Sequence, residues 1–78
     1  MSSIHDARYQ KLILNLIQIR ESKDVTQVEL SIILKKPQSY IAKVENLDRR
    51  IDVIEGGDWL GALNSSLSQL LDNTDLRI

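Results

Sequence analysis

The sequence predicts an all-α fold of five short helices with a helix-turn-helix at its centre. Three observations predict it. Apolar residues recur at helical spacing, most plainly in the row Tyr9, Leu12, Ile13, Leu16, Ile17 and Arg20, where the charge closes the row. Capping residues stand where such runs begin, Thr26 with Glu29 three residues on and Asp52 ahead of Val53. The single proline, Pro37, falls between two apolar runs too short to be anything but separate helices.

The first helix is expected from about Asp6 to about Ser22, after a loose start over residues 1–6. Its stripe is core, and Gln10, Lys11, Asn15 and Gln18 take the opposite face. The second runs from about Thr26 to about Lys35, with Leu30 and Leu34 inward. Val28, Ile32 and Ile33 make it apolar beyond that face, either as filler on a small protein or as a patch for a partner. Pro37 ends this helix and opens the third, to about Asn46, because a first-turn amide needs no intrahelical partner. Ile41 and Val44 face in; Gln38, Ser39, Tyr40, Lys43 and Asn46 lie on or near the outside.

Asp52 caps a fourth helix, about Val53 to Leu63, with Ile54, Leu60 and Leu63 inward. Gly56, Gly57 and Gly61 lie inside it at a cost of roughly 0.8–1 kcal/mol each against alanine, which points to close helix contact or to a distorted helix. Trp59 is a core anchor or a dimer contact. Asn64 suits a left-handed helix stop. A fifth helix follows, about 65–72, with Leu67, Leu70 and Leu71 on one edge, before a frayed tail from Asp72.

The run from Thr26 to Glu45 is the part that suggests a function. A short helix with glutamine, serine and lysine outward, braced by the helix before it, suits a DNA major groove. The stretch also resembles the Xre/Cro-repressor family of DNA-binding regulators. The resemblance rests on Arg20, Thr26-Gln27, Glu29-Leu30, Leu34, Pro37-Gln38-Ser39-Tyr40-Ile41, Lys43, Glu45 and Arg49-Arg50. It extends more weakly from about Tyr9 to about Leu71. It implies a lambda-repressor-like domain. It also implies that Arg20 pairs with Glu45, that Arg49 and Arg50 meet phosphate, and that the fifth helix dimerises. Two positions depart from the pattern: Lys35 stands at the usual turn glycine and Ser31 at the usual alanine. A left-handed Lys35 costs about 1 kcal/mol or more.

With 78 residues the chain reads as one helix-turn-helix domain, without space for a separate effector module. A core of that size is marginal, and pairing with a second copy would help it. There is no cysteine, no apolar run near the ~20 residues of a membrane span, and no signal peptide in MSSIHDARYQ, so a cytoplasmic protein is expected. The net charge of −1 hides a polarity. Residues 20–50 carry seven bases against five acids, whereas residues 51–78 carry one base against five acids. That turns one end toward phosphate and the other away from it.

Catalysis finds no constellation: one histidine, His5, no cysteine and no nucleophile turn. Asp48, Asp52 and Glu55 have roughly helical spacing, which suits a solvated face better than a metal pocket. Gly56-Gly57 is not followed by the lysine of a phosphate loop. Asn64-x-Ser66 matches a glycosylation acceptor only formally. No enzyme, metal or cofactor is therefore expected.

The expected function is a sequence-specific transcriptional regulator, a repressor binding a palindromic double-stranded operator as a homodimer. Gln27, Gln38, Ser39 and Lys43 are the candidate base contacts. Lys35, Lys36, Asn46, Arg49 and Arg50 are the candidate phosphate contacts, with Tyr40 divided between phosphate and packing. Leu67, Leu70 and Leu71 form the expected dimer interface. The alternatives are an antitoxin-type autorepressor with a toxin partner, and a protein-interaction domain that does not bind DNA.

Overall fold

The computed structural model describes the backbone of residues 4–74 and the side chains of residues 4–70. Five helices follow one another: α1 (Ala7–Ser22), α2 (Gln27–Leu34), α3 (Gln38–Glu45), α4 (Val53–Ala62) and α5 (Leu67–Thr74). There is no strand among the described residues. α2 packs on α3 and α4, while α1 lies against α5 and α3.

Asp6 is the N-cap of α1, its carboxylate accepting from the Arg8 amide at 2.8 Å, so the chain is fixed from Asp6 onward. The stripe Tyr9, Ile13, Leu16 and Arg20 is buried, with Leu12 and Ile17 partly covered. Asn15 departs from the expected outer face: it is 7% exposed and its side-chain nitrogen has no hydrogen-bond partner among the described residues. Ile19 is buried beside it. Two helices, α3 and α5, cover α1, so its buried arc is wider than the single stripe the spacing predicts.

The four breaks between helices share one device. Asp24, Lys35, Leu47 and Asn64 each take a positive φ, between 53° and 65°. At each, the left-handed residue and its successor donate to carbonyls of the helix just ended. The Lys35 amide bonds the Ile32 carbonyl at 3.2 Å and the Lys36 amide bonds that of Ser31 at 3.0 Å. The Leu47 amide bonds Val44 and the Asp48 amide bonds Lys43, and Asp24-Val25 and Asn64-Ser65 repeat the pattern. These are Schellman closures, normally built on glycine, and none of the four uses one. They satisfy the orphan carbonyls within two residues and let the chain turn sharply from helix to helix.

α2 and α4 both open on a capping box. Thr26 accepts from the Glu29 amide at 3.0 Å while Glu29 accepts from Thr26 at 2.9 Å. Asp52 and Glu55 exchange the same pair of bonds at 2.8 and 3.2 Å. The Asp52–Glu55 spacing that hinted at a metal pocket serves this box. Pro37 caps α3 without a side-chain bond.

Leu30, Ile41 and Val44 are fully buried and join Trp59, Leu60 and Leu63 in one core. Trp59 is therefore a core residue. Ile54, expected inward, is 72% exposed. It lies six residues from Leu60, a separation that helical periodicity puts on different faces. The α4 glycines do not mark a close approach: a methyl at Gly57 or Gly61 would meet nothing within 4 Å, and one at Gly56 only Ile51 Cδ1 at 3.9 Å. α5 continues to Thr74, so residues 72–74 are helix rather than tail. Leu70 belongs to the molecule's own core, whereas Leu67 is 56% exposed. The Leu71 side chain lies outside the described residues.

Candidate nucleic-acid interface

α3 buries Ile41 and Val44 and turns the other way with Ser39, Lys43 and the following Asn46. These three sit at i, i+4 and i+7, one exposed stripe of hydrogen-bonding side chains. Gln38 is exposed at one edge of the stripe. Tyr40 stands at the other edge, half-buried.

The Gln38 edge is tied back to α1. The Arg20 guanidinium meets the Glu45 carboxylate in two bonds, Nε to Oε2 at 2.7 Å and Nη2 to Oε1 at 3.0 Å. Its remaining nitrogen donates to the Val25 carbonyl at 2.7 Å, holding the α1–α2 connection just before the Thr26 cap. Glu45 Oε1 also accepts from the Gln27 side chain at 2.9 Å, and Gln27 in turn accepts from Gln38 at 3.4 Å. Gln27, a candidate base contact, thus has both ends of its amide engaged within the protein. It links the ion pair to Gln38.

The Tyr40 edge is tied to α4. The Tyr40 hydroxyl donates to Glu55 Oε2 at 2.9 Å and accepts from the Trp59 indole at 3.3 Å. The two rings meet edge-on, centroids 6.2 Å apart. Burial pushes the Tyr40 phenol up, against the opposing Trp59 hydrogen bond, and the Glu55 carboxylate reinforces the rise. Burial pushes the Glu55 carboxyl up as well. The Tyr40 hydroxyl, the Asp52 amide and the Arg49 guanidinium outweigh it and hold that carboxyl below its ordinary range. With its hydroxyl engaged in this way, Tyr40 falls on the packing side of the two roles expected for it.

The cations divide into groups. Lys35 and Lys36 form the exposed turn between α2 and α3. Lys36 Nζ lies 5.5 Å from the Tyr40 ring centre, and the Arg49 guanidinium lies 4.8 Å from the same centre. Arg49 also pairs with Glu55 at 3.0 Å. Arg50 goes elsewhere, its guanidinium 5.1 Å from the Tyr9 ring. The Tyr9 hydroxyl accepts from the Ile51 amide, which fixes the chain just beyond the two arginines.

Sequence reasoning did not single out Glu55 and Tyr9 as members of this surface. Their partners come from other helices, and no spacing along the chain reports such contacts. Only the Asp52–Glu55 cap was within reach of a local rule.

The order of helices, the sharp left-handed break at Lys35 and the outward stripe on α3 define a helix-turn-helix domain. No protein-family model matches the chain, and no curated protein does. Among solved structures it is similar to an XRE-family like protein from Pseudomonas syringae pv. tomato str. DC3000. The two are 40% identical over 94% of this chain and 89% of that one, with a TM-score of 0.85. The chain belongs to the Xre family of helix-turn-helix proteins. No helix among the described residues is long and apolar enough to cross a membrane.

Proposed function

We propose that this protein is a sequence-specific transcriptional regulator of the cytoplasm that inserts α3 into the major groove of double-stranded DNA. One observation carries the reading. Gln38, Ser39 and Lys43 stand exposed on a helix whose two edges are pinned, one through Gln27, Glu45 and Arg20, the other through Tyr40, Glu55 and Trp59. Rigidity matters because base edges discriminate only if the donor arrives in register, each good pair being worth ~1–3 kcal/mol.

In this reading Gln38, Ser39 and Lys43 meet base edges, and Gln27 orients Gln38. Lys35, Lys36, Asn46 and Arg49 meet the backbone, which fixes register without reading sequence. Arg50 belongs to the same expected group, although its stacking on Tyr9 turns it toward α1. Repression through a palindromic operator bound by a homodimer completes the proposal. An apolar groove of about 960 Å³ between α1, α4 and α5 supports it, with Val53 and Leu67 exposed along its lining. A second copy covering that groove would bring the α5 edge into the seam through Leu67, with Leu70 supporting it from the core.

A second reading keeps the DNA-binding face and adds a protein partner, as in an autorepressing antitoxin. Val28, Ile32 and Ile33 favour it, an outer face of α2 that is apolar and 49%, 71% and 53% exposed. Selecting bound fragments from genomic DNA tests the main proposal. Enrichment of one two-fold-related sequence is the expected result. No enrichment and no salt-dependent binding would leave a protein-interaction domain instead.

A further inference from the structure

We infer that Tyr40 is a positioning residue, which gathers Lys36 and Arg49 into a two-cation clamp for the DNA backbone beside α3. The inference rests on the duplex-binding reading above and goes beyond it by naming how two of the phosphate contacts are held.

Lys36 and Arg49 come from opposite ends of α3, one before Pro37 and one after the helix has ended. Nothing in the sequence brings them together. The Tyr40 ring does: both cations lie against it, at 5.5 and 4.8 Å from its centre. The ring is itself immobilised. Trp59, 1% exposed, meets it edge-on, and the hydroxyl is held between the Trp59 indole and Glu55 Oε2. Glu55 is fixed in turn by its capping box with Asp52, and the same Oε2 accepts from Arg49 at 3.0 Å. So the chain of support runs from the core, through Tyr40 and the start of α4, to the two cations.

Long cationic side chains lose rotamer freedom when they grip a phosphate. Stacking on a fixed ring removes part of that freedom beforehand, and the ring face itself favours positive charge. A clamp of this kind raises affinity for any duplex, because it touches the backbone alone. It also separates the paired arginines. Arg49 serves the clamp, whereas Arg50 stacks on Tyr9 and lines the groove between α1, α4 and α5.

The test uses the full chain and a fluorescein-labelled 30-base-pair duplex of arbitrary sequence, with anisotropy measured across a salt series. Tyr40→Leu should weaken binding about threefold to tenfold, and Tyr40→Phe, which keeps the ring, should recover most of that loss. In a Lys36→Ala/Arg49→Ala background the Tyr40→Leu effect should fall below about twofold, since the groups it acts through are gone. An equal loss in both backgrounds would make Tyr40 a merely structural residue and overturn the inference, as would no loss in either. Proton NMR of the unaltered protein provides a measurement independent of any variant's folding. The Lys36 ε-methylene and Arg49 δ-methylene protons should be shifted upfield by the ring, and ordinary shifts would overturn the clamp. If the unaltered protein shows no salt-dependent duplex binding, the DNA-binding reading fails and takes the clamp with it. An additive cycle on a protein that does bind removes only the clamp.

Discussion

Arg20 and Glu45 are twenty-five residues apart in sequence and meet in a bidentate pair with side chains only 10% and 5% exposed. Two charges out of water add little net stability, because desolvation offsets most of their attraction. Their value lies in geometry. The planar guanidinium fixes the angle between α1 and the end of α3 and leaves one nitrogen to hold the Val25 carbonyl. Arg20→Ala or Glu45→Ala should each destabilise by ~3–5 kcal/mol, by stranding the partner's charge. Arg20→Met with Glu45→Leu should recover most of that loss. Urea unfolding checks the cycle, and a double variant as unstable as the singles would show that the pair itself carries the energy.

That pair belongs to the part of the molecule that local rules and resemblance made legible. The α1 stripe, the Thr26–Glu29 capping box, the Asp52 cap and the break at Lys35 follow from periodicity and from short-range hydrogen bonding, and they fix most of the topology. The outward residues of α3 were legible for the same reason, since Ile41 and Val44 had to point in. What was not legible depends on how many neighbours cover a face. Spacing along one helix puts Asn15 on the outer face, and resemblance puts Leu70 in a dimer seam. Both are buried, because α1 is packed from two sides and α5 turns Leu70 into the common core. Ile54 fails in the opposite sense: nothing among the described residues covers its side of α4. The Tyr40–Glu55–Trp59 contacts join α3 to α4 through tips of side chains, which periodicity does not see.

Lys35 holds φ 57° and ψ 43°, a conformation that glycine adopts without strain. Lys35→Gly should therefore raise stability by about 1 kcal/mol, read as a higher urea midpoint with unchanged slope. If Lys35 also meets phosphate, the same variant should bind duplex DNA more weakly and flatten the salt dependence by about one unit. Stability and affinity would then move in opposite directions. A variant no more stable than the parent would mean that the Lys35 side chain contributes contacts that offset its strain.

Asn15 buries an amide nitrogen without a partner among the described residues, and such a group costs about 1–3 kcal/mol relative to a satisfied or apolar one. Leucine has the same branching and the same number of side-chain heavy atoms, a larger volume, and a better helix propensity. Asn15→Leu should stabilise the protein by about 1–2 kcal/mol. Calorimetry or urea unfolding checks this. A loss of stability would indicate that the amide is hydrogen-bonded in solution.

Acid should act on three carboxylates that the fold holds ionised. The Arg8 side chain and amide lower Asp6 from 3.8 to about 2, the Thr26 backbone lowers Glu29, and Glu55 is held low as described. A depressed folded-state value means the stabilisation is full above the unfolded value and is lost as pH falls through the folded one. For Asp6 that window runs from 3.8 down to about 2. Asp6→Asn should flatten this lowest part of the pH–stability curve and lower stability at neutral pH, where the contribution of the ionised Asp6 is full. A curve for Asp6→Asn parallel to the parent's between those limits would show the cap to be unformed.

Lys43 and Arg49 separate reading from gripping. Lys43 stands on the exposed stripe of α3, one turn beyond Ser39, whereas Arg49 lies past the helix against Tyr40 and Glu55. A lysine that reaches a guanine edge discriminates by ~1–3 kcal/mol, and a phosphate contact discriminates not at all. Lys43→Ala should therefore change the preferred base pair at one position of each half-site. Arg49→Ala should weaken every sequence by a similar factor and flatten the slope of log affinity against log salt by about one unit. Affinity measured for both variants on the selected site and on its single-base variants decides the matter. Equal losses on every duplex from both substitutions would remove Lys43 from the base-reading set and leave α3 holding the backbone alone.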